Sequence, residues 1–184
     1  YHKTTNSMHR FYKYKNLIKE FRPNAPNQLW VADITYLSMS KGHSYLALIT
    51  DAYSRKIVGY DISDSLELAG SLRALKMALK QLPKGHNLIH HSDRGIQYCS
   101  NAYTEMLSRF NIKISMTQEN HCYENAMAER VNGILKDEFY LDNCFKNTKV
   151  AKKTSKNAIE LYNEQRLHLS LDYKTPNQVH QMVA

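Results

Sequence analysis

The chain has 184 residues, 42% of them hydrophobic, and a formal net charge of +8. That length and apolar content fit one folded domain with its own core and exclude a disordered tail. No apolar run reaches the roughly 18 residues of a membrane span, and the basic excess favours a polyanionic partner, nucleic acid before an anionic membrane surface.

Residues 1–27 carry His2, Lys3, Arg10, Lys13, Lys15, Lys19 and Arg22 and end at Pro23 and Pro26. They read as a basic arm or linker entering from a module upstream, either solvated or laid along a phosphate backbone. Tyr1 to Arg22 has no apolar centre, so it does not read as a secretory signal. Three β-rich runs follow. Gln28 to Leu37 is β-branched and aromatic, Ser44 to Asp51 follows a Lys41-Gly42 turn, and Lys56 to Ile62 follows Tyr53-Ser54-Arg55. Short strands with tight links predict an antiparallel meander.

Residues 66–82 place Leu68, Leu72, Leu75, Leu79 and Leu82 three or four apart, predicting an amphipathic helix stopped by Pro83 and Gly85. Asn87 to His91 reads as a strand running into the polar turn His91-Ser92-Asp93-Arg94-Gly95. Ala102 to Phe110 reads as a helix, and Ile112 to Met116 alternates as a short strand. Glu124 to Tyr140 is helical, with Val131, Leu135 and Phe139 on one stripe widened by Ile134. Asn147 to Tyr162 is a further helix, and the tail from Asn163 to Gln178 reads as a polar loop containing Pro176. The order β-β-β-α-β-α-β-α-α predicts an α/β fold. Its mixed five-stranded sheet has three antiparallel strands and two parallel additions, with helices on both faces. The three cysteines, Cys99, Cys122 and Cys144, are odd in number and without metal spacing. They read as reduced thiols of a cytoplasmic protein, and His121 beside Cys122 lacks the second pair a structural zinc needs.

Three acids stand out. Asp33 interrupts a strand, where Asp is depleted, although alternation also allows it on a solvent face. Asp93 ends the fourth strand. Glu129 lies on the 124–140 helix off its apolar stripe, with 35 residues between it and Asp93. Parallel addition of the fourth strand beside the first would bring the two Asp together. Converging carboxylates repel unless a cation sits between them, and their hard oxygens suit Mg²⁺ or Mn²⁺.

The segments QLWVADITYL, YLALITDAYSRKIVGY, HHSDRGIQYCS, ENAMAERVNGILKDEF and YNEQRLHLSLDYKTPNQ resemble, in order, the integrase core of bacterial insertion-sequence transposases, the type encoded by a second reading frame. The resemblance extends to the retroviral integrase superfamily and covers nearly all of residues 28–180, and the 35-residue gap is the one that family's signature requires. It implies a ribonuclease-H-like fold. By position it carries an Asp, Asp, Glu triad onto Asp33, Asp93 and Glu129, which would bind two divalent ions, Mg²⁺ or Mn²⁺. The activity implied is cleavage of element ends and strand transfer to target DNA. Also implied are an upstream helix-turn-helix module, a homodimer or larger assembly on DNA, and a bacterial, nucleoid-associated location with no membrane role. On this reading the chain divides into an arm (1–27), a catalytic core (28–145) and a C-terminal helix with a basic tail (146–184).

Lys136, two turns after Glu129, sits on a face that touches the DNA end in this family, or is simply solvated. Arg94 pairs with a carboxylate or reaches a phosphate. Arg166, His168 and Lys174 would contact DNA or a second protomer, or fold back on the core. His91 and Ser92 would support Asp93, while Gln97 and Tyr98 would line the site's mouth. One loop departs from the family: Glu119 to Ala126 lacks the usual Gly, and Glu124 stands where Asp is usual. Two rivals keep the same motifs: an inactive DNA-binding or assembly remnant, and another ribonuclease-H-like metal nuclease. The SRKIVG and tail motifs argue against the second.

Overall fold

The computed structural model describes residues 9–118 and 126–182. The first three strands are β1 (Leu29–Ser38), β2 (His43–Asp51) and β3 (Ile57–Ser63). Then come α1 (Leu68–Leu79), β4 (Ile89–Ser92), α2 (Ile96–Cys99), α3 (Asn101–Arg109) and β5 (Lys113–Met116). The chain continues through α4 (Ala126–Glu138), α5 (Thr148–Gln165), a 3₁₀ turn (Leu169–Leu171) and α6 (Pro176–Gln181). One sheet has the order β3-β2-β1-β4-β5. The β1–β2 and β2–β3 pairs are antiparallel, and the β1–β4 and β4–β5 pairs are parallel. This is the mixed sheet that the order of the elements predicts.

Alternation along the strands assigns each face its helices. Trp30, Ala32 and Ile34 of β1 and Ala47 and Ile49 of β2 pack with Leu75 and Ala78 of α1 and Tyr103 and Leu107 of α3. Leu37, Leu46 and Leu48 face the other way, onto Val131, Ile134 and Leu135 of α4 and Ile159 and Tyr162 of α5. Asp33 therefore belongs to the α4 side of the sheet. Along the chain's start, Tyr14, Ile18 and Phe21 pack against the core, and the Leu17 amide donates to Ser115 Oγ of the edge strand at 2.9 Å.

Gly59 of β3 is where α1 comes closest to the sheet. A Cβ there would run into the Ala74 carbonyl oxygen and lie 2.9 Å from the Ala78 Cβ. Gly59→Ala is expected to destabilise the fold by about 1–3 kcal/mol, the usual cost of overpacking, seen as a lower denaturation midpoint with an unchanged m-value.

The tail is not the polar loop its composition suggests. Thr175 Oγ1 accepts from the Gln178 amide while Gln178 Oε1 accepts from the Thr175 amide, a capping box with Pro176 in the first helical turn. The resulting α6 is anchored through a buried chain. His180 Nδ1 lies 2.9 Å from Ser54 Oγ, whose hydroxyl donates to Asp51 Oδ1 at 2.9 Å. Because that hydroxyl's proton is committed to Asp51, His180 carries its proton on Nδ1 and donates it to Ser54.

Candidate active site

The register of β1 with β4 decides where the two Asp meet. Val31 pairs with His91, so two residues further on Asp33 stands opposite Asp93. Both lie where β4 runs out at Ser92. Asp93 Oδ1 accepts the Gly95 amide at 2.8 Å, an Asx-type turn that fixes the carboxylate at the strand's end. Gly95 gives this turn room: a Cβ there would lie 2.8 Å from Asp93 Oδ1. The turn-forming and chemical readings of Asp93 are thus compatible, since one oxygen caps while the group stays beside Asp33.

The helix α4 supplies the third side. Asn132, buried, donates from Nδ2 to Asp33 Oδ2 at 2.6 Å. Glu129 is exposed in the first turn, one turn before Asn132. Lys136, one turn beyond, places Nζ 4.4 Å from the centre of the Tyr36 ring.

The electrostatics follow from this crowding. The Asp33 carboxyl is pushed up to about 7, first by burial, then by the Asp93 charge, with Glu129 adding to both. The Ile34 amide and the Asn132 side chain oppose the shift. The buried Tyr98 phenol, pushed upward mainly by burial and also by Tyr103, Asp93 and Asp33, lies close to both acids. Lys136 is pushed down by burial and pulled back up by Asp33. Three carboxylates thus share one field. Among the described residues no three His, Cys, Asp or Glu side chains yet converge closely enough to hold a metal ion together.

The residues around this centre have local tasks. His91 Nδ1 lies 2.8 Å from Ser115 Oγ, tying β4 to β5. His90 points to the opposite face. Its Nε2 lies 2.9 Å from the Tyr103 hydroxyl, and burial holds the ring neutral, down to about 3. Ser92 Oγ donates to the Asp93 carbonyl, and the Arg94 carbonyl accepts from His9 Nε2 at 2.9 Å. Gln97 is turned away, donating to the Leu66 carbonyl at 2.7 Å. Of the tail residues, Arg166 grips Glu138 with two bonds of 2.6 and 2.8 Å, His168 is buried edge-on against Tyr162, and Lys174 is half-buried. The altered loop at residues 119–125 lies outside the described residues.

Asn132 and His9 are the contacts at this site that sequence reasoning did not pick out. The signal for Asn132 was available: it stands three residues after Glu129 and four before Lys136, so all three share one helix face.

The integrase core domain family matches residues 23–122, and a second match of the same description covers residues 110–176. The chain belongs to this family. Among curated proteins, a protein of insertion element IS600 from Shigella sonnei is 41% identical over 98% of this chain and 69% of its own length. The transposase of IS629 from Shigella sonnei is 37% identical over 86% of this chain and 53% of its own length. Transposase InsF of IS3A from Escherichia coli is 38% identical over 84% and 54%. The chain spans about half the length of those two transposases. This integrase core is therefore of the insertion-sequence transposase type. The catalytic core domain of HTLV-2 integrase, solved in complex with magnesium, has the same fold. Its TM-score is 0.70, at 23% identity, over 87% of this integrase core and all of that chain. An intasome of simian T-cell lymphotropic virus gives 0.73 at 19% identity over 97% and 61%.

Proposed function

We propose that this integrase core cuts DNA at the ends of an insertion element and joins the freed 3′-hydroxyl to another phosphodiester, with Asp33, Asp93 and Glu129 as its catalytic carboxylates. The observation that carries the reading is the β1–β4 register, which sets Asp33 beside Asp93 on the face covered by α4. Glu129 reaches the same field from the first turn of α4. The donor set fits divalent cations: all three groups are hard oxygens, and burial followed by the Asp93 charge raises Asp33 to about 7, a cost that a bound cation would offset. Two ions, Mg²⁺ or Mn²⁺, would activate the attacking oxygen and stabilise the leaving one. The magnesium of the HTLV-2 integrase core supports that choice of metal.

The protein's own contributions are positional. Asp93 is fixed by Gly95, Asp33 is oriented by Asn132, and the buried Tyr98 lies in the field of both acids. Lys136 faces the same centre and would hold a phosphate of the element end. Arg94 stands beside Asp93 and is assigned the same task on the other flank. For the tail, Lys174 is the residue best placed for DNA, because Arg166 is engaged by Glu138 and His168 is buried. An upstream helix-turn-helix module, a dimer or larger assembly on DNA, and a place at the bacterial nucleoid complete the proposal. No described helix is long and apolar enough to cross a membrane.

The test is a strand-transfer assay on labelled element ends with Mg²⁺ or Mn²⁺. Glu129→Gln is expected to lose product on the order of a thousandfold or more, as removal of a central catalytic group does, with DNA affinity within about twofold of wild type. Equal activity, or a loss explained by failed DNA binding, would refute the assignment.

A further inference from the structure

The helix α4 has two working faces. Glu129, Asn132 and Lys136 look toward Asp33, while Met127, Arg130 and Ile134 line a groove of roughly 890 Å³ on the other side. Opposite them stand Arg166 to Ser170 and Tyr173, and Arg55 of the β2–β3 turn lines it too. Three arginines line this groove, Arg55, Arg130 and Arg166, and among the described residues no carboxylate does. Glu138 forms its salt bridge with Arg166, and its field also reaches Arg130, while Asp51 lies in the field of Arg55. Arg55 spends one donor on the Ala52 carbonyl, and Arg130 is exposed with no salt bridge among the described residues.

Two further features mark the groove as built to receive something. His168, only 7% exposed, lines it with an Nε2 that has no hydrogen-bond partner among the described residues. Burial and then the Arg166 and Arg55 charges push this ring down to about 4 against Glu138, so it is neutral. The loop beside it is tied by its own backbone hydrogen bonds yet presents apolar surface. The His168 amide donates to the Lys174 carbonyl at 3.2 Å and the Tyr173 amide to the His168 carbonyl at 3.0 Å. Asp172 and Tyr173 are both held in the left-handed region, at φ 52° and 57°. The outcome is that Leu169 is 73% and Tyr173 67% exposed.

We propose that this groove is a second DNA-binding surface, distinct from the triad, which seats a backbone phosphate between Arg55 and Arg130 and packs the adjoining sugar against Leu169 and Tyr173. It rests on DNA being the substrate, but not on the triad being catalytic. Arg55 and Arg130, without a salt-bridge partner among the described residues, favour a polyanion, and phosphate is the group their planar donor fork matches. Apolar side chains flanking a phosphate site suit the sugar edge of a strand. A strand held here runs along the back of α4, so the helix that carries Glu129 is gripped by DNA from both sides.

The experiment is fluorescence anisotropy of a labelled duplex against a salt series, in EDTA so that the triad's metals play no part. Arg130→Ala is expected to weaken binding about five- to tenfold and to lower the slope of log K against log salt by about 1, the signature of one lost phosphate contact. Arg130→Lys keeps the slope. Tyr173→Ala weakens binding with the slope unchanged. Lys76→Ala, on α1 across the sheet, serves as the control and changes neither. An unchanged slope for Arg130→Ala, or an equal drop for Lys76→Ala, overturns the proposal. So does unchanged DNA binding with a shift to smaller species in sedimentation, because the groove would then hold a second copy of the chain. Loss of strand transfer in Glu129→Gln leaves this result untouched, so the two readings fail separately.

Discussion

Asp33→Asn is expected to be more heat-stable than wild type in EDTA at pH 8 and to lose strand transfer. The physical reason is the crowding at the β1–β4 edge. The ordinary value of 3.8 for this carboxyl is raised to about 7 in the fold, chiefly by burial and then by Asp93. A carboxyl whose folded value lies above its unfolded one favours the protonated fold, so its charge costs stability. The cost is absent below about pH 4, grows through the window from 4 to 7, and is complete above 7. The full gap corresponds to about 4 kcal/mol; with partial exposure and relaxation of the site, about 2 kcal/mol is expected. For a domain of this length that is a gain of roughly 4–8 °C in Tm. Asparagine can still accept the Asn132 amide, so the packing is kept.

The same argument predicts how the wild type responds to cations. Mg²⁺ or Mn²⁺ is expected to raise its Tm, with the logarithm of cation concentration once the site is filled, because only the fold would bind them. The Asp33→Asn chain should show little such rise. Calorimetry from pH 4 to 8, with and without cation, checks both statements. The two proteins should converge near pH 4. A variant that melts below wild type at pH 8 would mean that Asp33 is held as a satisfied structural carboxylate, and the metal reading would lose its main physical support.

How much of this was legible in the sequence depends on the range of the interaction. The strands were readable because alternation is local: Trp30, Ala32 and Ile34 against Val31 and Leu37 already state two faces. The α4 stripe was readable for the same reason, and Val131, Ile134 and Leu135 are buried as their spacing requires. The short helix α6 was missed because six residues carry too little periodicity, although Thr175, Pro176 and Gln178 spell its start. Its anchor could not be read at all, since His180 meets Ser54 across 126 residues. The arginine groove is hidden in the same way, being assembled from the β2–β3 turn, α4 and the tail. Acids in motif spacing can be found by reading along the chain. Neighbours such as Asn132, whose partner lies 99 residues away, come only with the fold.

Asn132→Leu is expected to keep the fold while displacing the pH dependence of the reaction. Asn132 lowers the Asp33 value by donating to the ionised carboxylate at 2.6 Å. Its own Oδ1 is buried without a partner among the described residues, so leucine removes one unsatisfied atom along with the useful donor. A hydrogen bond to a charged group contributes about 1.5–3 kcal/mol, equivalent to a move of roughly one to two pH units. The acidic limb of the kcat profile should therefore shift upward by about that much. Activity should fall about tenfold to a hundredfold near pH 7 and recover toward wild type near pH 9. KM for DNA should stay level, because Asn132 faces Asp33 and not the groove behind α4. A merely structural role predicts something else: a uniform loss at every pH with a lowered Tm. Asn132→Asp separates the cases further, since it keeps the side chain's size but adds a carboxylate beside Asp33. It should push the limb further up than leucine does, and rising Mg²⁺ should draw it back down.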